Sequence, residues 1–233
     1  MCGRFVLKEE VESLSQVFSA PPTQSNSVGA WGWQPDYNVT PAQTVPACAL
    51  GGDGARALVP LRWGLHPAWR EDPPASRPLF NARTETVASK PSFRSAWRKR
   101  RALVPANGFY EWERREGSGG EVEKLPHYIF DPARPVFAFA GIWEMWVDPD
   151  AEDAAPLLSC ATLTMPADGV MANLHHRQPV RLDAEHWDAW LAADLDTDAT
   201  LAAAIPSDTL EHHRVSKAVN SGRAKGAELV ERL

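Results

Sequence analysis

From Arg101 onward the middle of the chain is written in aromatic and β-branched runs: "RALVPANGFYEWE", "LPHYIF", "PVFAFAGIWEMWV" and "LLSCATLTM". Such residues fit a pleated, half-buried surface, so each run reads as a strand. The first is broken at Asn107-Gly108, and "REGSGG" and "DPDAED" read as surface loops. Twenty prolines in 233 residues point the same way, because proline removes the N–H that a helix interior needs. "ARALVPLRWG" adds an earlier strand, leaving a hairpin at "GGDG". Helical spacing is peripheral. "KEEVESLSQVF" places Val11, Leu14, Val17 and Phe18 on one face and predicts a helix over 8–18. "KPSFRSAWRKR" predicts a short basic helix opened by Pro91 and Ser92. "DAEHWDAWLAADL" predicts another, with Trp187, Trp190 and Leu191 on one side and Asp183 as its N-cap. The expectation is an α+β fold with a mainly antiparallel, β-barrel-like core and peripheral helices. No repeat or long linker divides it, so one domain over residues 1–233 is expected.

Composition excludes several classes. Hydrophobic residues are 44% and charged residues 23%, ordinary for a soluble globular chain. There is no apolar run of membrane-spanning length and no secretory signal pattern, so a cytoplasmic protein without a membrane partner is expected. The three cysteines form neither a disulfide framework nor a zinc pair. Cys48 and Cys160 sit in apolar surroundings and read as buried, inert thiols. His175, His176, His212 and His213 could suggest a metal. Adjacent histidines point different ways along a strand and no cysteine pair joins them, so neither metal nor cofactor is expected. The net charge of −6 argues against nucleic acid, but its distribution does not. Arg56 to Arg101 holds eleven Lys/Arg against three Asp/Glu. That stretch is either a polyanion footprint or a solvated helix face, and charge alone does not decide.

Five local stretches carry candidate chemistry. Cys2 follows Met1, and a small second residue permits methionine removal. The exposed α-amine then has a pKa of about 7.7–8.0 and the thiol about 8.5, so both are partly deprotonated near neutral pH. The amine can form a Schiff base with an aldehyde, and the thiol can close on it to a thiazolidine. The bland reading is a cysteine that merely follows the start. "FNARTET" sets Asn81 and Arg83 two apart, on one face of an extended segment and suited to phosphate or sugar. "ANGFYEW" sets Glu111 between Tyr110 and Trp112, where desolvation would suit acid–base work. A solvent-facing strand position is the plain alternative. "LHHRQPV" supplies His175. "RWGLHPAW" sets Trp63 and Trp69 beside Arg62, a pattern for stacking single-stranded bases, though core packing explains tryptophans as well.

Together, "MCGRF", "YNVTPAQ", "RWGLHPAW", "FNARTET", "ALVPANGFYEW", "AGIWE", "TLTMPAD" and "LHHRQPV" resemble, in order, the motifs of the SRAP (SOS response-associated peptidase) family. The match is strongest over residues 2–182, with a weaker echo in "VSKAVNSGRAKGAEL". The resemblance implies a monomeric abasic-site sensor acting on single-stranded DNA, cytoplasmic and nucleoid-associated when bound. It implies that Cys2, freed of Met1, forms a thiazolidine crosslink with the ring-opened sugar, with autopeptidase and abasic-site lyase activity. Asn81 and Arg83 would position the sugar and its phosphates, and Glu111 and His175 would handle protons. Arg4, Trp112, Trp63, Trp69, Arg62 and Arg177 would contact DNA. Two departures stand out: His175-His176-Arg177 replaces the usual His-Asp-Arg, and "AWGWQPDYNVT" is longer and richer in tryptophan than expected. Two other readings remain. An N-terminal-nucleophile amidohydrolase also begins Met-Cys-Gly, but it continues with apolar residues where this chain has Arg4. A non-catalytic single-strand binder would tolerate loss of Cys2.

Overall fold

The structure, a computed structural model, describes residues 2–23, 32–74, 78–116, 120–150 and 155–233. The chain runs β1 (Phe5–Leu7), α1 (Val11–Phe18), β2 (Asp36–Val39), β3 (Thr44–Leu50), β4 (Arg56–Trp63) and β5 (Asn81–Arg83). It continues α2 (Thr84–Val87), α3 (Arg94–Lys99), β6 (Arg101–Ala106), β7 (Gly108–Glu116), β8 (Val122–Phe130), β9 (Phe137–Trp146) and β10 (Leu157–Pro166). It ends α4 (Gly169–Ala172), β11 (Arg177–Pro179), β12 (Arg181–Leu182), α5 (Trp187–Leu191), α6 (Thr197–Ala202) and β13 (Glu211–Arg214). The fold is mostly β, with few and short helices.

Strand β10 pairs with both β4 and β9, and β4–β3–β6–β9 pair in turn, so five strands close into a barrel. Closure removes the open edges a flat sheet would expose. The barrel is antiparallel as expected, except where β10 runs parallel to β4. β5 also joins β10 in parallel. A second, antiparallel sheet runs β13-β8-β7-β1-β2. The Asn107-Gly108 break is where the chain leaves the barrel at β6 and enters this second sheet at β7. A Cβ at Gly108 would lie 2.4 Å from the Tyr128 ring, so only glycine permits the approach. Asn107 ties the crossing down, donating to Glu9 Oε1 at 3.0 Å and to the Pro135 carbonyl at 2.7 Å. The Phe5 ring bridges the two sheets, edge-on to Trp63 at 4.9 Å and to Phe139 at 5.9 Å.

Several local expectations are corrected. Helix α1 starts at Val11, not residue 8, and Glu10 makes no side-chain cap. Helix α5 covers only Trp187–Leu191, preceded by a single 3₁₀ turn, and Asp183 does not cap it. Both Asp183 oxygens instead accept from Arg134, at 2.7 and 3.1 Å. Residues 24–31, 117–119 and 151–154 lie outside the described residues, and with them parts of the stretches "AWGWQPDYNVT", "REGSGG" and "DPDAED". Among the described residues, no helix is long and apolar enough to cross a membrane.

Candidate active site

The site forms where the β1–β7 part of the open sheet meets β5 and β11, the two short strands carried by β10. Cys2 precedes β1 and Glu111 lies on β7; both are buried. The β1–β7 register sets Phe5 against Phe109, and the Tyr110 N–H donates to the Arg4 carbonyl at 3.0 Å, so Cys2 and Glu111 are neighbours. The Cys2 Sγ rests 3.6 Å from that same carbonyl. From the other side, Asn81 Nδ2 donates to the Cys2 carbonyl at 2.8 Å. Thr162 of β10 donates to Asn81 Oδ1 at 2.8 Å, which leaves the amide nitrogen facing Cys2. His175, just ahead of β11, brings Nδ1 to 3.9 Å from Glu111 Oε1. Four residues far apart in sequence thus converge on one point.

Their protonation follows from burial. Burial, and then the Glu111 charge, push the Cys2 thiol above its ordinary range. Burial also raises the Glu111 carboxyl above the usual carboxylate range and lowers His175 below the usual imidazole range. Burial thus brings the proton affinities of the carboxyl and the imidazole toward each other, which suits proton exchange between them. The Arg177 backbone N–H donates to His175 Nδ1 at 3.0 Å. The Arg177 carbonyl oxygen also lies 3.1 Å from Nδ1, so this one backbone unit sets the ring's orientation in either tautomer.

Beside these groups lies a cleft of about 390 Å³ lined by Arg4, Glu111, Trp112, Arg114, Lys124, His175 and Asn220. Arg114 and Lys124 beside the one carboxylate suit an anionic ligand, whereas the guanidinium of Arg4, expected to contact DNA, is taken up by Asn38 and the carbonyls of Val219 and Asn220. A second cleft, of about 660 Å³, carries Asn81, Arg83 and Lys90 on its wall. Arg83 is exposed there, as a phosphate contact requires. Trp112 is half-buried, and its indole donates to Asn220 Oδ1 at 2.8 Å.

Three expected DNA contacts are placed differently. Trp63 is fully buried, packs on Phe5 and Phe80, and donates to the Phe80 carbonyl at 3.0 Å, so it belongs to the core. Arg177 is buried and holds Glu85 with both terminal nitrogens, while Nη2 also donates to the Thr164 carbonyl at 2.6 Å. It frames the site from inside. Arg62 is half-buried and donates to the Gly64 carbonyl at 3.2 Å, in a small separate cavity with His66 and Arg70. Trp69, by contrast, is 61% exposed, and its ring is open for stacking. The four histidines do not meet: His175 and His176 lie ring against ring at 4.2 Å, and His212 faces His127. Among the described residues, no group of three or more His, Cys, Asp or Glu could hold a metal.

The family described as SOS response associated peptidase (SRAP) matches residues 1–222. The chain belongs to the SRAP family. Abasic site processing protein YoqW of Bacillus subtilis is 34% identical over 99% of both chains. Abasic site processing protein HMCES of Gallus gallus is 29% identical, over 82% of this chain and 64% of that protein. A crystal structure of a Bacteroides thetaiotaomicron protein shares the fold, with a TM-score of 0.84, 22% identity and full coverage of both chains. In this SRAP chain the motif reading missed Arg114, Lys124 and Asn220. Arg114 and Lys124 stand directly opposite across β7–β8, a like-charge pairing that is unfavourable without an anion nearby. Their alternation was visible in "EWERRE" and "EVEK", but which residue faces which depends on the hairpin register. Asn220 lies in the weaker echo "VSKAVNSGRAKGAEL", where nothing local set it at the cleft.

Proposed function

We propose that this protein processes abasic sites in single-stranded DNA by covalent capture through Cys2. The printed names of its relatives support abasic-site processing. The convergence of Cys2, Asn81, Glu111 and His175 supports the chemistry, and the contact from Asn81 to the Cys2 carbonyl carries the reading.

In this reading hydrolysis removes Met1, and the amine of Cys2 becomes the nucleophile. It adds to C1′ of the ring-opened deoxyribose, forming a C–N bond, and the carbonyl oxygen takes a proton. Loss of that oxygen as water leaves an imine. Glu111 supplies the proton for water to leave and recovers one from nitrogen, with His175 as its exchange partner. The Cys2 thiol then adds across the imine: sulfur bonds to C1′, its proton passes to nitrogen, and the five-membered thiazolidine closes. Without ring closure, the imine withdraws electrons from the sugar, and β-elimination of the 3′ phosphate becomes a lyase path. Arg83, Lys90, Arg114 and Lys124 line the phosphate approach, and exposed Trp69 offers a stacking face.

The test is a denaturing gel. Protein shown by intact mass to lack Met1 is mixed with a single-stranded oligonucleotide bearing one abasic site, alongside Cys2→Ala. A heat-stable shifted band that needs both the abasic site and Cys2 is expected. No band from processed protein would overturn the proposal, and glutamine hydrolysis would then test the amidohydrolase alternative.

A further inference from the structure

We propose that Asn38, through Arg4 and the C-terminal segment 216–225, positions the N-terminal nucleophile against Glu111. This rests on the capture reaction above and names a part of it that lies outside the reacting centre.

Arg4 lines the cleft, yet its guanidinium is committed to protein. Nη1 donates to Asn38 Oδ1 at 2.9 Å and to the Val219 carbonyl at 2.6 Å, and Nη2 donates to the Asn220 carbonyl at 3.2 Å. Asn38 is fully buried. Its Nδ2 faces the carbonyls of Val219, Ser221 and Ala224 at 3.2, 3.0 and 3.0 Å. Two N–H bonds serve three acceptors, so one is shared. Only this amide orientation works, because Arg4 can only donate and the carbonyls can only accept. Lys225 clamps the far end of the segment, donating to Asp36 Oδ2 at 2.6 Å, to the Asn38 carbonyl at 2.7 Å and to Gln43 Oε1 at 2.9 Å. The segment is thereby strapped over β2.

The strap reaches the chemistry through Arg4. Its backbone carbonyl is the atom beneath the Cys2 thiol, and it also accepts the N–H of Tyr110, the residue before Glu111. Holding the Arg4 side chain therefore holds the spacing of Cys2 from Glu111. Asn220 of the same strap accepts from the Trp112 indole and fixes the cleft's aromatic wall. Asn38 is thus a positioning residue: it touches neither the sugar nor the reacting atoms. Loosening such a frame by about 1 Å costs on the order of 10²-fold in rate.

The experiment compares Asn38→Ala, Asn38→Asp and Lys225→Ala with wild type, each as full chain lacking Met1. Three quantities are read: the adduct-forming rate at saturating abasic-site oligonucleotide, the affinity for the same oligonucleotide carrying an aldehyde-free tetrahydrofuran analogue, and amide hydrogen exchange over residues 2–7. Lys225→Ala removes the clamp at a partly exposed side chain, so it keeps the question answerable if the buried Asn38 variants fold poorly. Leu191→Ala in α5 serves as a destabilised control on the barrel's outer helix. The expected result is a rate loss in the strap variants approaching 10²-fold for Asn38→Ala. Analogue affinity should be little changed, and exchange over residues 2–7 should rise while the barrel strands stay protected. Unchanged rates, a loss no larger than in Leu191→Ala, or a loss wholly explained by analogue affinity would each overturn the proposal. If wild-type protein forms no adduct, the capture reaction itself fails, while the exchange measurement still reports whether the strap holds the N-terminal segment.

Discussion

Asn81 donates to the carbonyl of Cys2 at 2.8 Å, and Thr162 holds Asn81 in that orientation. The amide is aimed before any substrate arrives. Asn81→Ala is expected to slow adduct formation sharply, and Asn81→Asp should not rescue it, because a carboxylate cannot donate to the carbonyl. Thr162→Val should leave Asn81 Oδ1 unpaired, with a stability cost of about 1–3 kcal/mol. Single-turnover crosslinking and thermal melts check both; a wild-type rate in Asn81→Ala would remove Asn81 from the site.

Cys2→Ser should still form an imine that borohydride traps, but no durable adduct, because the hydroxyl closes a far less stable ring. An adduct as durable as wild type without reductant would defeat the thiazolidine step.

Glu111→Gln separates activity from stability. Loss of the general acid–base group should slow crosslinking by roughly 10²-fold. The sign for stability is opposite. Burial raises the Glu111 carboxyl in the folded state, so the folded protein binds the proton more tightly than the unfolded chain. Stability then falls as pH rises from the ordinary carboxylate range through the raised value. Glu111→Gln should abolish that fall and melt higher than wild type at neutral pH. A lower melting temperature across the whole range would mean that the carboxylate's contacts outweigh its desolvation.

Glu85 makes the contrary case. Its bidentate contact with Arg177 lowers its carboxyl to about 2. The stability this contributes is present above the ordinary carboxylate range and lost as pH falls toward 2. Glu85 is exposed, so solvent screening keeps the contribution modest. Glu85→Gln should flatten the acid limb of a melting-temperature profile; an unchanged limb would show that the pair carries no net stability.

Trp63 and Trp69 should part company. Trp63→Ala empties a fully buried site and should cost about 3–5 kcal/mol. Trp69→Ala should leave the melting temperature unchanged and weaken binding to single-stranded DNA, since base stacking contributes about 1–3 kcal/mol per base. Titration of an undamaged oligonucleotide decides the second; equal affinity would place the DNA path elsewhere.

The aromatic and β-branched runs from Arg101 to Met165 determined a strand-built core, because such side chains fit a pleated surface buried against its neighbours. Cys2, Asn81, Glu111 and His175 were singled out from short contiguous motifs that resemble the SRAP pattern, and the fold brings these four together. A barrel-like core was expected and is found, but its strand order and the parallel pairings of β10 were not readable, because strand partners are chosen by registers between distant segments. Burial separated residues that looked alike in sequence: Trp63 went to the core and Trp69 to the surface, and Arg177 was taken up by Glu85 while Arg83 stayed open. The strap was the least visible feature. Arg4 and Val219 lie 215 residues apart, and a side chain donating to a backbone carbonyl constrains no residue type at the accepting end. Local propensity is written in neighbours, whereas the frame around the nucleophile is written in carbonyls, which every residue has and only the folded chain brings together.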